Sequence, residues 1–315
     1  MMSNCYLNNA VKNIGKLVMQ TQDFMLRIVY LNGAFLPLSE AKISVLDRGF
    51  TFGDGVYEVI PVFNGNIFRV EDHLNRLASS LAGLNINIGI SRDKLKSILV
   101  ELLRRNPATG NQQLYLQVTR GVTERDHIYE DNVTPTFFAM CKAITKRDFS
   151  AGVCVITHED IRWKYCHIKA TALLASVLLK NLAKATANCL EAILIRNGMV
   201  TEGASSNVFI VADGIIKTPK KDNNVLPGIT RDLMVELLRD SGSLCQETDI
   251  NEQELQQADE IWITGSTIGV VPVVTLDGKK IGDGKPGRYW HQARELYETY
   301  KVNGPHTLQQ RDYVV

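Results

Sequence analysis

A lysine and a glutamate in this chain stand in segments that suit cofactor chemistry. Lys169 ends the stretch IRWKYCHIK and precedes an apolar helical segment, where an amine can form an imine with a carbonyl group. Glu202 lies in VTEGASSN between two predicted strands, beside the small residues Gly203, Ala204 and Ser205 that let backbone approach a ligand closely. Each residue alone also fits an ordinary surface position. Together they indicate a site for pyridoxal phosphate, which needs an amine and a carboxylate partner for its ring nitrogen.

Another segment offers a cradle for the phosphate of such a cofactor. LPGITRD reads as a loop entering a helix, so Ile229 and Thr230 would present backbone N–H groups at the helix N-terminus. That end of a helix attracts anions by roughly 0.3–2 kcal/mol. Ser266 and Thr267 follow a predicted strand and could add hydroxyl groups, and Arg76 could add a guanidinium. Two glycine turns and an exposed helix arginine would explain the same residues without a ligand.

Arg125 and His127 form a possible carboxylate clamp. They stand two residues apart on the loop GVTERDH, which follows a predicted strand. Arginine presents two parallel N–H donors that match a carboxylate, and histidine can add a third. A loop of mixed charge explains the same pair without a function, so both interpretations stay open on these residues alone.

Composition excludes several other classes of protein. The 315 residues include 35 Lys and Arg against 34 Asp and Glu, a balance that does not favour nucleic acid or an anionic membrane surface. The chain has no GxGxxG, no Walker loop and no HExxH, and His167 lacks a ligand cluster, so no metal is expected. No run reaches the roughly 18 apolar residues of a membrane span, which predicts a soluble protein.

The six cysteines are scattered, with no CxxC and no paired spacing. We therefore expect free thiols in a reducing compartment. The first 26 residues lack a continuous apolar segment of the kind found in secretory signals, and a cytoplasmic location is expected.

Hydrophobic periodicity predicts two α+β domains. Strand–turn–strand patterns with Asn-Gly turns precede two amphipathic helices in the first half, and the second half alternates strands with three helices. The expected organisation is an N-terminal extension over 1–26, a small α+β domain over 27–145, a linker over 146–152, a large domain over 153–302 and a disordered tail over 303–315.

Five motifs in sequence order resemble the fold-type IV, class IV family of PLP-dependent aminotransferases, and within it the branch that acts on D-amino acids. The motifs are LDRGFTFGDGVYEV at 46–59, VTRGVTERDH at 118–127, EDIRWKYCHIK at 159–169, VTEGASSNVF at 200–209 and LPGITRD at 226–232. The resemblance covers nearly everything from Arg27 to about Tyr300. It implies a small α/β domain and a larger β-barrel-like domain with helices.

The resemblance also implies roles for individual residues. Lys169 is similar to the lysine that forms the cofactor imine and moves the α-proton, and Glu202 to the partner of the pyridine nitrogen. The other implied cofactor-binding residues are Arg76, Ser205, Ser206, Leu226, Ile229, Thr230, Ser266 and Thr267. The implied substrate-binding residues are Tyr57, Tyr115, Arg125 and His127.

The implied reaction is ping-pong transamination between a D-amino acid such as D-alanine and a 2-oxo acid such as 2-oxoglutarate. The implied assembly is a homodimer with shared active sites, in which Arg125 and His127 reach in from the neighbouring subunit. The edge of the site that holds the substrate carboxylate decides which enantiomer turns its α-hydrogen toward Lys169.

Three alternatives share the fold or the cofactor. A branched-chain L-amino acid aminotransferase is disfavoured by the Arg125–His127 pair and by VYEV. Aminodeoxychorismate lyase is disfavoured by Glu58, where we expect a threonine in that enzyme. A PLP-binding protein without catalysis is disfavoured by Lys169 and Glu202 together. Ala204 stands where relatives often have serine and GSTIGVVPV is unusually apolar, so the acceptor and the side-chain preference stay open.

Overall fold

Two β-sheets and seven α-helices form the part of the chain that the computed structural model describes, residues 26–145 and 147–304. The elements of the first sheet and its helices are β1 (Ile28–Leu31), β2 (Ala34–Pro37), a 3-10 turn (Leu38–Glu40), α1 (Arg48–Phe52), β3 (Gly55–Phe63), β4 (Asn66–Ile67), α2 (Val70–Gly83), α3 (Arg92–Arg105), β5 (Gln112–Thr119) and β6 (Thr136–Ala143). Those of the second are β7 (Val153–Glu159), α4 (Leu174–Ala187), β8 (Glu191–Arg196), β9 (Met199–Gly203), β10 (Asn207–Ala212), β11 (Ile215–Thr218), α5 (Ile229–Asp240), β12 (Cys245–Glu247), α6 (Glu252–Gln256), β13 (Glu260–Gly265), β14 (Gly269–Leu276), β15 (Lys279–Lys280) and α7 (Arg288–Asn303).

The first sheet is antiparallel, with strand order β2-β1-β6-β5-β3-β4. Its hairpins turn at the Asn-Gly pairs expected from the sequence, and Asn32 and Gly33 have φ of 46° and 100°. One face packs against α2 and α3, where Val56 and Ile60 are fully buried. Because side chains alternate along a strand, Tyr57 points to the opposite face of the sheet. That face is not covered by α2 and α3, so its side chains can line a site.

The second sheet has nine strands in the order β12-β11-β10-β13-β14-β7-β8-β9, with β15 paired to β14, and it curls into a half-barrel. Its central strands β14, β7 and β8 run parallel to one another. An apolar core lies against α5 and α7 on one side, where Phe209 and Trp262 stack with ring centroids 5.6 Å apart. A second core, which includes Ile193 and Ile263, covers the other side.

Backbone hydrogen bonds join the first sheet to the segment around Lys169, which connects β7 to α4. The N–H of Tyr57 donates to the carbonyl oxygen of Lys169 over 3.0 Å, and the N–H of Thr171 donates to the carbonyl of Gly55 over 2.9 Å. Val56 and Ala170 form an isolated antiparallel bridge at the same place. The lysine is therefore fixed beside strand β3 of the first sheet.

The main predicted strands and helices are present with ends shifted by a few residues, but several short elements were not predicted. Among them are α1, β12 and β9, and Glu202 lies in β9 rather than between two strands. The structure describes neither residues 1–25 nor 305–315, which hold most of the expected extension and tail. None of the helices within residues 26–145 and 147–304 combines the length and the apolar character that a membrane span requires.

The large apolar residues of α4 are exposed in the single chain. Leu174, Val177 and Leu178 are 73, 52 and 56% exposed, and the helix packs instead through Leu179 and Ala183. Helix α4 thus lies against β7 and β8, and its larger apolar residues Leu174, Val177 and Leu178 project outward from the single chain.

The expectation that all cysteines are unpaired is wrong for one pair. Cys154 in β7 and Cys189 after α4 form a disulfide, with Cα atoms 4.8 Å apart. Parallel pairing of β7 with β8 brings the first residues of the two strands together. The two cysteines are 35 residues apart, so nothing in the sequence indicates that they pair. Cys141, Cys166 and Cys245 are free and buried, as expected, and Cys5 lies outside the described residues.

Opening this disulfide should lower the free energy of unfolding. The bond closes a loop of 35 residues that includes Lys169 and α4, and the loop-entropy relation gives about 3–4 kcal/mol for such a loop. Urea unfolding with and without dithiothreitol measures the loss. Cys154→Ser is the control, because reductant should then have no further effect; an equal effect of reductant on both proteins would contradict this assignment.

Candidate active site

A cavity of about 790 Å³ lies between the two sheets, and most of the residues singled out from the sequence line it. The predicted site residues found on its walls are Tyr57, Arg76, Lys169, Glu202, Ser205, Ser206, Leu226, Ile229, Thr230, Ser266 and Thr267. The volume falls within the usual range for small-molecule and cofactor sites, roughly 300–1,000 Å³. The fold thus brings together segments that are far apart in the sequence.

Lys169 extends its amine into this cavity. The Nζ atom lies 4.2 Å from the centroid of the Tyr57 ring, a distance typical of a cation–π contact. The backbone N–H of Lys169 donates to Ser80 Oγ over 3.1 Å, and its carbonyl accepts from Tyr57. The backbone is thereby fixed while the amine stays accessible to a ligand.

Glu202 is a buried carboxylate with donors on both oxygens. Its Oε2 accepts from Asn207 Nδ2 over 3.0 Å and from the N–H of Leu226 over 3.1 Å, and its Oε1 accepts from Arg162. Burial raises the pKa of Glu202 to about 7, and the Arg162 guanidinium opposes that rise. Asn207 therefore does more than open a strand, the only role its sequence position suggested.

Arg162 is a functional residue that the sequence did not single out. Its guanidinium binds both oxygens of Asp160 at 2.9 Å, as well as Glu202. Asp160 also pairs with Arg196 over 3.1 Å. The only feature of the sequence that indicates the Asp160–Arg162 pair is their two-residue spacing in EDIRW, which puts both side chains on the same side of an extended segment.

The opposite wall of the cavity offers donors for an anion. Helix α5 begins at Ile229, and no side chain in the described residues caps its N-terminus. A side chain at Gly228, the residue before it, would collide with the amide oxygen of Asn207, so only glycine fits this close approach. The hydroxyl of Thr264 on the same wall is buried and has no partner among the described residues. Unpaired donors of this kind fit a phosphate group.

Arg76 is held against the cavity by a buried carboxylate. Its Nε and Nη2 donate to Glu58 over 2.7 and 2.8 Å, and its Nη1 donates to the carbonyl of Pro227 over 2.9 Å. A guanidinium carries five N–H groups, so two remain for a ligand. The Arg76 guanidinium and His73 hold the pKa of Glu58 well below its usual range, although Glu58 is fully buried.

Ser205 and Ser206 line the cavity but donate elsewhere. Both hydroxyls donate to Glu191 Oε2 over 2.9 Å. Because a hydroxyl has a single hydrogen, neither serine retains one for a phosphate in this arrangement. Their oxygens can still accept a hydrogen bond from a ligand.

Arg125, His127 and Tyr115 do not line the cavity of their own chain. The guanidinium of Arg48 holds the loop by donating to the carbonyls of Asp126 and His127 over 2.6 and 3.2 Å. Arg125 and His127 are exposed there. Tyr115 packs against Tyr57 with ring centroids 5.9 Å apart, and burial raises its pKa to about 12.

Comparison with known proteins assigns this arrangement to a family. The model of the family described as amino-transferase class IV matches residues 55–276. A D-alanine aminotransferase of Bacillus licheniformis is 42% identical over 261 residues, which cover 82% of this chain and 92% of that protein. The chain belongs to the class IV aminotransferases.

Solved structures agree with this assignment. A branched-chain aminotransferase of Thermoproteus uzoniensis with norvaline superposes with a TM-score of 0.81 at 25% identity, covering 88% of this chain and 95% of that one. A branched-chain amino acid aminotransferase of T.th., complexed with N-(5'-phosphopyridoxyl)-L-glutamate, gives 0.80 at 27% identity with the same coverage. The expected α+β fold of fold type IV is confirmed.

The expected cofactor is confirmed at the level of the family, because class IV aminotransferases use pyridoxal 5'-phosphate. The chain's own residues fit it: one accessible amine, one buried carboxylate across the cavity and an uncapped helix N-terminus beside a guanidinium. In the described ranges, no group of three or more His, Cys, Asp or Glu side chains could hold a metal ion.

The raised pKa of Glu202 predicts a pH dependence of the cofactor-free protein. The folded carboxyl keeps its proton up to about pH 7, whereas the unfolded one loses it near its ordinary value of 4.5. The contribution of this group to stability is therefore present below pH 4.5 and is lost as the pH rises to about 7, on the order of 3 kcal/mol. Urea unfolding of the apoprotein and of Glu202→Gln across this range measures it. Identical pH profiles would contradict the raised pKa.

Proposed function

We propose that this chain is a D-amino acid aminotransferase that moves the amino group of D-alanine or a similar D-amino acid to a 2-oxo acid. The observation that carries the proposal is that Lys169 and Glu202 share one cavity with the uncapped N-terminus of α5. The choice of D-amino acids is supported by the D-alanine aminotransferases similar to this chain over most of its length.

The proposed roles of the cofactor-binding residues follow from their chemistry. Glu202 would hold the ring nitrogen protonated, while Arg162 and Asn207 keep the carboxylate oriented. The two free N–H groups of Arg76 and the backbone N–H groups of Ile229 and Thr230 would bind the phosphate. The other residues proposed at the cofactor are Ser205, Ser206, Leu226, Ser266 and Thr267. When bound, pyridoxal phosphate supplies an electron-poor ring that takes up the electron pair left by the breaking α-C–H bond.

Lys169 is the proposed acid–base group. Its Nζ accepts the α-proton of the amino acid and later returns a proton, so that the same amine serves both halves of a ping-pong cycle. The hydrogen bonds from Tyr57 and Ser80 hold the backbone of Lys169, which keeps the amine on one side of the cavity. Only a substrate whose α-hydrogen faces that side can react.

The substrate carboxylate is proposed to lie between Tyr57 and a clamp of Arg125 and His127 of the partner subunit. Their exposed loop contacts α1, where the Arg125 guanidinium lies 5.2 Å from the centroid of the Phe52 ring. The hydroxyl of Thr171, three residues before α4, donates to the carbonyl of Gly53, the residue after α1, over 2.9 Å. This bond places the start of α4 near the end of α1.

An apolar surface beside this loop supports a homodimer. Phe50 in α1, Ile128 in the loop and Leu174 in α4 are 70, 83 and 73% exposed. Large exposed apolar areas mark interaction sites, and most soluble homo-oligomers are two-fold symmetric dimers.

We also propose the cytoplasmic location that was expected from the sequence. Cell fractionation tests this location.

The first test of the function compares amino donors. With 2-oxoglutarate as acceptor, the purified holoenzyme should form pyruvate and D-glutamate from D-alanine, and no glutamate from L-leucine or L-alanine. Chiral chromatography of the products measures both. Turnover of L-leucine without turnover of D-alanine would favour the branched-chain alternative instead.

Replacing the acid–base group should stop the reaction. Lys169→Ala should reduce multiple-turnover transamination to background, because no other amine of the chain contacts the reacting carbon in this proposal. Lys184→Ala, a lysine exposed on α4, is the matched control and should keep wild-type activity. Sustained turnover by Lys169→Ala would contradict the assignment of this residue.

Subunit complementation tests the shared site. Lys169→Ala and Arg125→Ala are each expected to be nearly inactive, the second because it loses a charged hydrogen bond of about 1.5–3 kcal/mol. After unfolding and refolding together, mixed dimers should contain one intact site, so activity should return to about one quarter of the wild-type value. If Arg125 instead acted in its own subunit, mixing would restore nothing.

A further inference from the structure

We propose that Lys142 binds the side-chain carboxylate of a dicarboxylic substrate and so makes the enzyme prefer acidic 2-oxo acids as amino acceptors. This inference rests on the proposed transamination and adds a specificity residue to it. Lys142 lies near the end of β6 and lines the same cavity as Lys169.

The pairing of strands β3, β5 and β6 puts Lys142 on the cavity face of the first sheet. Tyr57 pairs with Gln117, and four residues along β5 Gln113 pairs with Lys142. Because side chains two residues apart share a face, Gln113, Gln117, Tyr57 and Lys142 all project to the same side. The alternating residues on the other side, such as Leu114, are fully buried in the core.

The chemistry of this face changes along the strands. Near Lys169 it is aromatic: Tyr115 lies between Tyr57 and Phe138, at ring-centroid distances of 5.9 and 6.5 Å. At its far end it is polar, with Gln113 beside Lys142. Within the cavity, this face therefore offers the Tyr57 ring to the reacting end of a substrate and a cation to its distant end.

The distances suit a short dicarboxylic acid. Lys142 lies four residues along the strands and two strands across from Tyr57, so their Cα atoms are about 16 Å apart. The flexible four-carbon stem of Lys142 spans roughly 6 Å of this distance, and the Tyr57 side chain and the substrate occupy the rest. The ammonium group can thus approach the second carboxylate of a five-carbon diacid whose 2-oxo group lies at Lys169.

Lys142 differs from most other cations of the cavity in having no ion-pair partner. Arg76 is neutralised by Glu58, Arg162 by Asp160 and Glu202, and Lys180 lies 3.3 Å from Glu191. Within residues 26–145 and 147–304, no carboxylate pairs with Lys142 or with Arg147, the second unpaired cation on this edge. An exposed, unpaired ammonium at the rim of an active-site cavity is free to bind a substrate anion.

The test compares two acceptors that differ in one carboxylate. With D-alanine as donor, kcat/KM for 2-oxoglutarate should fall about 10–150-fold in Lys142→Gln, the range for loss of a charged hydrogen bond. With 2-oxobutyrate it should stay within about twofold. Lys142→Arg should retain the preference, and Lys279→Gln, which removes an exposed lysine on β15, should change neither value. Chiral chromatography separates the two D-amino acid products.

Binding of an unreactive diacid gives a second readout. Calorimetry should show that Lys142→Gln weakens the binding of glutarate to the holoenzyme by the same factor and leaves butyrate unaffected. Equal losses for both acceptors, or no loss for 2-oxoglutarate and glutarate, would overturn the role of Lys142. A wild-type enzyme that fails with D-alanine and both acceptors would overturn the proposed function, and the glutarate titration would still decide the role of Lys142.

Discussion

The backbone hydrogen bond from the N–H of Tyr57 to the carbonyl of Lys169 is the contact on which the site depends. It joins strand β3 of the first sheet to the segment that carries the reactive amine. Since both partners are main chain, the contact fixes where the amine leaves the backbone without using any side-chain group. The bridge between Val56 and Ala170 lies beside it, and both Tyr57 and Lys169 line the cavity.

Buried ion pairs complete the walls of that cavity. Glu58 holds Arg76 on one wall, and Asp160 holds Arg162 against Glu202 on another. Removing one partner of such a pair leaves a buried charge unpaired and costs about 3–5 kcal/mol, so each pair keeps its members in one orientation. The groups that would meet the cofactor are therefore oriented before it binds, which lowers the entropic cost of binding.

The sequence predicted the long strands and helices, because their periodicity reports burial on one face. Most of the residues that it singled out line the cavity, through motifs that combine a lysine, a glutamate and a helix N-terminus. It could not predict Arg162, whose partner Glu202 is forty residues away, or the disulfide between Cys154 and Cys189, because both contacts arise from strand order. It could not show that Leu174, Val177 and Leu178 of α4 are exposed, because an exposed apolar face has the same periodicity as a buried one.

Exchange of the α-hydrogen with solvent tests the central claim, that the amine of Lys169 acts on one side of the cavity on one enantiomer. D-alanine and L-alanine are incubated separately with holoenzyme in deuterated water, and the α-proton signal is followed by NMR. The account predicts loss of the signal for D-alanine alone, and no loss for either enantiomer with Lys169→Ala. Exchange of L-alanine at a comparable rate, or exchange by the variant, would contradict it.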